Sequence, residues 1–231
     1  SLEDVATMYG VNLTKIKNNQ CTGFLDPIEL EEVRRKLEKN SYSIYKPYKD
    51  SEKNIIYTKK EPKVLLYEIK SKIELRHQDI LGTMFSLNIS PELFGDILII
   101  EGHYYIYILE SVRNYFESNF LMVKNSYVEL EEHGLELLAP YEKGFEYLGY
   151  IVSSNRIDTI VSSICHIGRG NVADMIKNKE IMLNYEYLKD GSYKLKVDDV
   201  FSIKRVGKFV YNGVIKTTKS NHMIIEIKKY L

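Results

Sequence analysis

Cysteine is scarce in this sequence: the only two, Cys21 and Cys165, lie far apart and in no Cys-x-x-Cys pairing. That argues against a disulfide framework and against a thiolate zinc site. No apolar run approaches the roughly 18 residues that a membrane span requires. No leader with a basic, then apolar, then small-residue pattern follows Ser1, so a reducing cytoplasm is the expected location. Internal repeats and low-complexity tracts are absent as well. Net charge is also missing, with 32 basic residues against 32 acidic ones. What remains is ordinary for a folded soluble chain: 44% hydrophobic and 28% charged residues, in a length of 231 that suffices for one large domain or two to three small ones.

The zero net charge conceals an asymmetry. Residues 151–231 hold 14 Lys and Arg against 8 Asp and Glu, a net of +6, which leaves the first 150 residues at −6. A basic module that meets a polyanion, joined to a domain that need not, accounts for this pattern.

Local patterns give the organisation. In "LDPIELEEVRRKLEKN" Asp26 and Pro27 predict a helix start, and the polar, tyrosine-rich "SYSIYKPYKDSEKN" reads as a loop before a short strand, "IIYT". From Lys63 to Leu130 the order is strand, helix, two strands about a Glu101-Gly102 turn, helix, strand. This is the β-α-β-β-α-β unit of ferredoxin-like and RNA-recognition-motif domains. A last module opens with "RIDTIVSSI", where Ile157, Ile160, Val161 and Ile164 fall on one helix face. A second helix follows in "GRGNVADMIK", and then the strands "IMLNY", "YKLK", "VFSIK", "KFVY" and "MIIEIKK". The expected fold is therefore α+β: an N-terminal mixed segment (1–62), a central ferredoxin-like, RNA-recognition-motif-like domain (63–150) and a basic C-terminal domain (151–231).

The stretch "GRGNVADM" invites comparison with a phosphate-binding nucleotide loop, yet it fits neither GxxxxGK[ST] nor GxGxxG and follows a helix instead of a strand. Glycines at a helix start still leave backbone N–H groups open beside Arg169, which suits a nucleic-acid phosphate. Arg156, Arg169, Lys177 and Lys179 lie off the apolar stripes of the two helices and are expected to form one basic face, extended by Lys204, Arg205 and Lys208 around Gly207.

The same residues carry a resemblance. Arg156 and Asp158 opening a helix, then Arg169, Ala173 and Ile176, then Asn184 and Asp199, resemble the RNA-binding module of the ribosomal-protein S-four type. Gly168 stands where that pattern has serine, Lys179 and Asp198 where it has turn glycines, and Tyr185 where it has glycine or an aromatic residue. Upstream, "TGFLDPIEL", "RHQDILGTMFSLNISPELFGDILI" and the split α/β domain resemble the YlmH family of bacterial RNA-binding proteins. The resemblance implies binding to ribosomal and transfer RNA on the large ribosomal subunit, a link to rescue of stalled translation, Asn184 among the RNA contacts, and no enzymatic activity, cofactor or metal.

A second candidate contact comprises Arg76 and His77 with Tyr105 and Tyr107, which lie on a central strand where RNA-recognition motifs place stacking aromatics. "EGHYYIYI" lacks the basic-glycine-aromatic signature, and core or surface packing is the stronger expectation for these tyrosines. Asp79 reads as a helix cap, and Cys165 beside His166 has no usual ligand spacing. Two other classes compete with an RNA-binding factor, expected here as a monomer. An RNA-modifying enzyme, either a pseudouridine synthase or a methyltransferase, would require a cofactor loop or a larger catalytic domain than residues 1–150 offer. A cell-division-linked adaptor would require an exposed apolar groove.

Overall fold

The computed structural model describes residues 21–231, so the first 20 residues of the expected N-terminal segment lie outside the described residues. The chain is mixed α+β and divides into two compact units, residues 1–142 and 143–231.

In the first unit Asp26 accepts a hydrogen bond from the Glu29 N–H at 2.8 Å, Glu29 accepts one from the Asp26 N–H at 3.4 Å, and Pro27 opens helix α1 (Pro27–Lys36). This reciprocal cap, with Leu30 and Val33 buried against Leu25 and Ile56, fixes the helix. Strands β1 (Ser43–Tyr45) and β2 (Ile55–Tyr57) then pair antiparallel. The tyrosine-rich stretch expected to be all loop thus contributes a strand; its residues are largely exposed, so no alternation of apolar and polar side chains marked it.

The main sheet of this unit uses β3 (Val64–Ser71), β4 (Phe94–Ile100), β5 (His103–Leu109), β6 (Met122–Val123) and β7 (Ser126–His133), in the order β4-β5-β3-β7-β6 with all neighbours antiparallel. Helix α2 (His77–Ser86) follows β3, and α3 (Arg113–Asn119) follows β5. Ile100 pairs with His103 across Glu101 (φ 50°) and Gly102 (φ 79°), a turn with both central residues left-handed that matches the twist of a tight hairpin.

Residues 104–108 of β5 are buried without a break, which requires both faces of the sheet to be covered. On one face Tyr67, Ile106 and Ile108 pack against Ile80 and Met84 of α2 and Phe116 of α3. On the other, Leu66 and Tyr107 pack against Phe24, Tyr48 and Ile55. Residues 21–62 are therefore the cover of the central sheet and not a domain of their own. Asp96 on β4 secures that cover, accepting from the Glu52 N–H (2.8 Å), the Lys53 N–H (3.0 Å) and the Tyr48 hydroxyl. Gly95 permits it: a Cβ there would sit 2.8 Å from the Phe24 ring.

The second unit contains β8 (Phe145–Val152), α4 (Ile157–Cys165), α5 (Arg169–Lys177), β9 (Ile181–Leu183), β10 (Glu186–Tyr187), β11 (Val200–Ile203), β12 (Gly207–Thr217) and β13 (Met223–Tyr230), with sheet order β10-β9-β11-β12-β13-β8. Ile157, Ile160 and Val161 of α4 and Val172 of α5 are buried in one core with Phe201, Phe209, Ile225 and Ile227. Because β8 pairs with β13 from Phe145 to Val152, the unit begins at 143 and not at the expected 151. "YKLK" is not a strand. Lys194 makes only an isolated bridge to Arg156, while Asp199 draws the segment into a turn by accepting from the Tyr193 hydroxyl (2.9 Å) and the Lys196 N–H (2.8 Å).

Candidate nucleic-acid interface

The helix spacing of "RGNVADMIK" puts Arg169, Ala173, Ile176 and Lys177 along one side of α5, and these four line a cleft of about 390 Å³ together with Arg156 and Lys189. Arg156 stands at the N-cap of α4, immediately before its first turn. Its Nε and Nη2 donate to both oxygens of Asp158, at 3.1 and 2.8 Å, a fork that holds the guanidinium in one orientation. Burial pushes the Asp158 carboxyl up, but the hydrogen bonds from Arg156 and the Thr159 N–H, with the charges of Arg156 and Arg169, bring it below the usual carboxylate range. Asp158 therefore stays anionic and occupied by Arg156.

The rim of the cleft is set by Gly191. A Cβ there would meet Ile176 at 3.0 Å and Asp158 at 3.1 Å, so glycine lets the loop after β10 close on both helices. That loop also caps α4, its Gly191 and Tyr193 carbonyls accepting from the Asp158 and Ile157 N–H groups at 3.1 and 2.8 Å. The start of α5 differs: Gly168 brings no side-chain cap, and a Cβ on Gly168 or Gly170 would meet nothing within 4 Å. Four cations thus line a cleft along α5, against Asp158, which Arg156 holds, and Asp190, which Ser192 holds through its N–H (2.9 Å) and hydroxyl (2.7 Å). Lys189 was not among the cations expected from the sequence; it stands 12 residues beyond Lys177 on a loop, and no helical spacing ties it to α5.

Lys179, Lys204 and Arg205 belong to a second concavity, of about 600 Å³, beside the β11–β12 turn. Arg205 lies 3.6 Å from Glu180, three-quarters exposed, and Lys179 sits 5.7 Å from the Tyr187 ring centroid. Lys208 rests over two rings, 5.2 Å from that of Tyr185 and 4.6 Å from that of Tyr230. The single basic face expected from the sequence is therefore two cationic patches, one along the side of α5 and one beyond its C-terminal end beside the β11–β12 turn.

Other candidates take different roles. Asn184 and Tyr185 are both left-handed (φ 47° and 67°) and form the β9–β10 turn. The Asn184 amide donates to Asp199 at 3.1 Å and accepts from the Val200 N–H at 2.9 Å, so the exposed side chain clamps this turn to the start of β11. Arg76 and His77 are exposed at the start of α2, where Asp79 accepts from the Arg76 N–H at 2.8 Å as a cap. Helix α2 covers one face of the central sheet, whereas Tyr105 and Tyr107 point to the other, so these four residues do not converge. Tyr107 is fully buried beneath Tyr48, and Tyr105, 8% exposed, lies between His103 and His133. Stacking a base on Tyr107 would require displacing the whole N-terminal cover.

Fold and site define a two-unit α+β protein whose C-terminal unit carries paired cationic clefts about one helix. Residues 58–136 match the family described as "Putative RNA-binding domain in YlmH". The chain is similar to the "Ribosome-associated protein quality control protein P2" of Bacillus subtilis (strain 168), 22% identical over 149 residues that span 64% of this chain and 58% of that protein. Among solved structures it is similar to the "Cell division protein ylmH from Streptococcus pneumoniae", at 17% identity and a TM-score of 0.48, over 59% of this chain and 91% of that one. The family match over residues 58–136 and the Bacillus subtilis relative both support a likeness to the YlmH family.

Proposed function

We propose that this chain is a non-enzymatic RNA-binding factor of the ribosome, acting in the cytoplasm, and that its C-terminal unit is the RNA-binding module. The observation that carries the proposal is the convergence of Arg156, Arg169, Lys177 and Lys189 on one cleft along α5, with Arg169 at the uncapped start of that helix. Guanidinium and ammonium groups beside open backbone N–H groups suit the phosphates of a nucleic-acid backbone. The family match, whose description names an RNA-binding domain and which covers residues 58–136 of the first unit, and the ribosome-associated name of the Bacillus subtilis relative support an RNA-binding role of the chain as a whole. Within it we assign binding to ribosomal RNA on the large subunit, contact with transfer RNA, and a part in quality control of stalled translation.

The first unit is assigned to the ferredoxin-like class: β3, β4, β5 and β7, joined by α2 and α3, stand in the order β4-β5-β3-β7. The second is assigned to the S-four type. In favour of this, Lys179 and Asp198, at turn-glycine positions of that pattern, and Tyr185, where it has glycine or an aromatic residue, all have positive φ (57°, 74° and 67°).

Titrating the full chain with ribosomal RNA over a range of salt concentrations tests the proposal. Log affinity should fall linearly with log salt, and removing one phosphate-binding cation should reduce the slope by about 0.7 to 0.9. Arg169→Ala with Lys189→Ala is expected to make the slope shallower by about two such steps, and Lys204→Ala with Arg205→Ala reads the second patch separately. Binding unchanged by both pairs would sink the assignment.

A further inference from the structure

We propose that the sheet of the first unit carries a binding site for a first-row divalent metal ion, of the zinc type, formed by Glu68, Glu131 and His133. The three residues offer ligand atoms that all lie within 4.8 Å of one another. They come from the two neighbouring strands β3 and β7: Glu68 pairs directly with Glu131, and His133 lies two residues on, so the side chains share one face. This is the face that the N-terminal segment covers around Tyr107.

Glu68 is the anchor. Its side chain is only 12% exposed, and its two oxygens are divided between two imidazoles, Oε1 facing His133 Nε2 at 3.0 Å and Oε2 facing His103 Nδ1 at 3.1 Å. A tetrahedral ion with bonds of about 2.0–2.2 Å needs ligand atoms about 3.3–3.6 Å apart. The His133–Glu68 separation meets that after a slight opening, and the half-exposed Glu131 closes the third corner by a side-chain movement on the order of 1 Å. Three protein ligands leave the fourth position to water. His103 then holds the far oxygen of Glu68, the carboxylate–imidazole support that fixes a ligand's orientation. It is a positioning residue.

One imidazole with two carboxylates favours zinc and its first-row neighbours over calcium or magnesium, which prefer all-oxygen sites. In the ion-free chain the Glu131 carboxylate pairs with Lys70, half exposed, and binding requires that ammonium to give way.

Zinc chloride titrated into the full chain by calorimetry, with a chelating indicator as competitor, tests the proposal. One ion per chain is expected, unaffected by excess magnesium, and zinc should raise the melting temperature. Glu131→Gln and His133→Asn should each weaken binding at least tenfold, and His103→Asn by about tenfold through Glu68. Circular dichroism identifies any variant that fails to fold; Glu131→Gln replaces an exposed strand residue and decides the matter alone. A parent chain that binds no zinc at submillimolar concentration overturns the site, as does a Glu131→Gln chain that binds as tightly as the parent.

Discussion

Tyr48 lies on Tyr107, the ring centroids 5.6 Å apart and the planes 14° from parallel. Two hydroxyls stand on this stack in opposite circumstances: that of Tyr48 donates to Asp96, while that of Tyr107 is buried with no partner among the described residues. Tyr48→Phe should therefore destabilise the first unit by about 1.5–3 kcal/mol, the range for a hydrogen bond to a charged group, and Tyr107→Phe should cost little or nothing. Urea denaturation of the two variants measures the contrast. Equal losses would mean that the Tyr48–Asp96 bond does not secure the cover. Neither change should alter RNA affinity, since the stack lies within the core of the first unit.

The cap of α1 gives the first unit a pH dependence. Burial, the hydrogen bond to Asp26 and its charge push the Glu29 carboxyl from 4.5 to about 7. A carboxyl raised on folding binds its proton more tightly in the folded chain, so its contribution to stability is complete below the unfolded pKa and is lost as pH rises through about 7. Glu29→Gln keeps an oxygen to accept the Asp26 N–H and removes the titration. Its melting temperature should match the parent's near pH 4 and exceed it at pH 8, by an advantage on the order of 1 kcal/mol after solvent screening. A constant difference across that window would contradict the shift.

What the sequence revealed follows from how local each signal is. Asp26-Pro27 and Glu101-Gly102 announce a helix start and a tight hairpin because capping and left-handed turns depend on a few adjacent residues. Arg156, Arg169 and Lys177 were legible for the same reason, as cations set by helical spacing off an apolar stripe. Lys189 was not, because only the closure of the Gly191 loop brings it to α5. Packing of Tyr107 was expected, but not its cover by residue 48, nor the grouping of Glu68 with His103 and His133, 35 and 65 positions away. Those contacts belong to sheet pairing. Asn184 matched a pattern associated with RNA binding, but its left-handed backbone and its bonds to Asp199 and Val200 explain it as a turn residue.

Strand β8 sets where the second unit can be cut. It is the edge partner of β13 from Phe145 to Val152 and contributes buried Val152 to the core. A fragment of residues 143–231 should melt cooperatively and keep the RNA affinity of the full chain. A fragment of residues 151–231 lacks most of that strand, uncovers the backbone N–H and C=O groups of β13, and should be markedly less stable or aggregate. Thermal melts of both fragments distinguish the boundaries, and equal stability would place the unit's start after β8.

Lys179 separates stability from binding at one position. The Glu180 N–H donates to the Met175 carbonyl at 3.0 Å and the Lys179 N–H to the Ile176 carbonyl at 3.1 Å, the paired bonds of a helix terminus that turns left-handed. Lys179 holds that turn at φ 57°, a conformation that glycine adopts without strain and a lysine adopts at a cost of about 1 kcal/mol. Lys179→Gly should therefore raise the stability of the second unit by about that amount, whereas Lys179→Ala leaves the strain in place and should change it little. Both remove the same charge from the cleft that Lys204 and Arg205 share, so both should make the salt dependence of RNA binding shallower by about one phosphate's worth. Thermal melts and salt titrations of the two variants, run in parallel, separate the effects. If Lys179→Gly gains stability yet binds RNA with the parent's affinity and slope, the second patch does not touch RNA, and the phosphates belong to the cleft between Arg156, Arg169, Lys177 and Lys189.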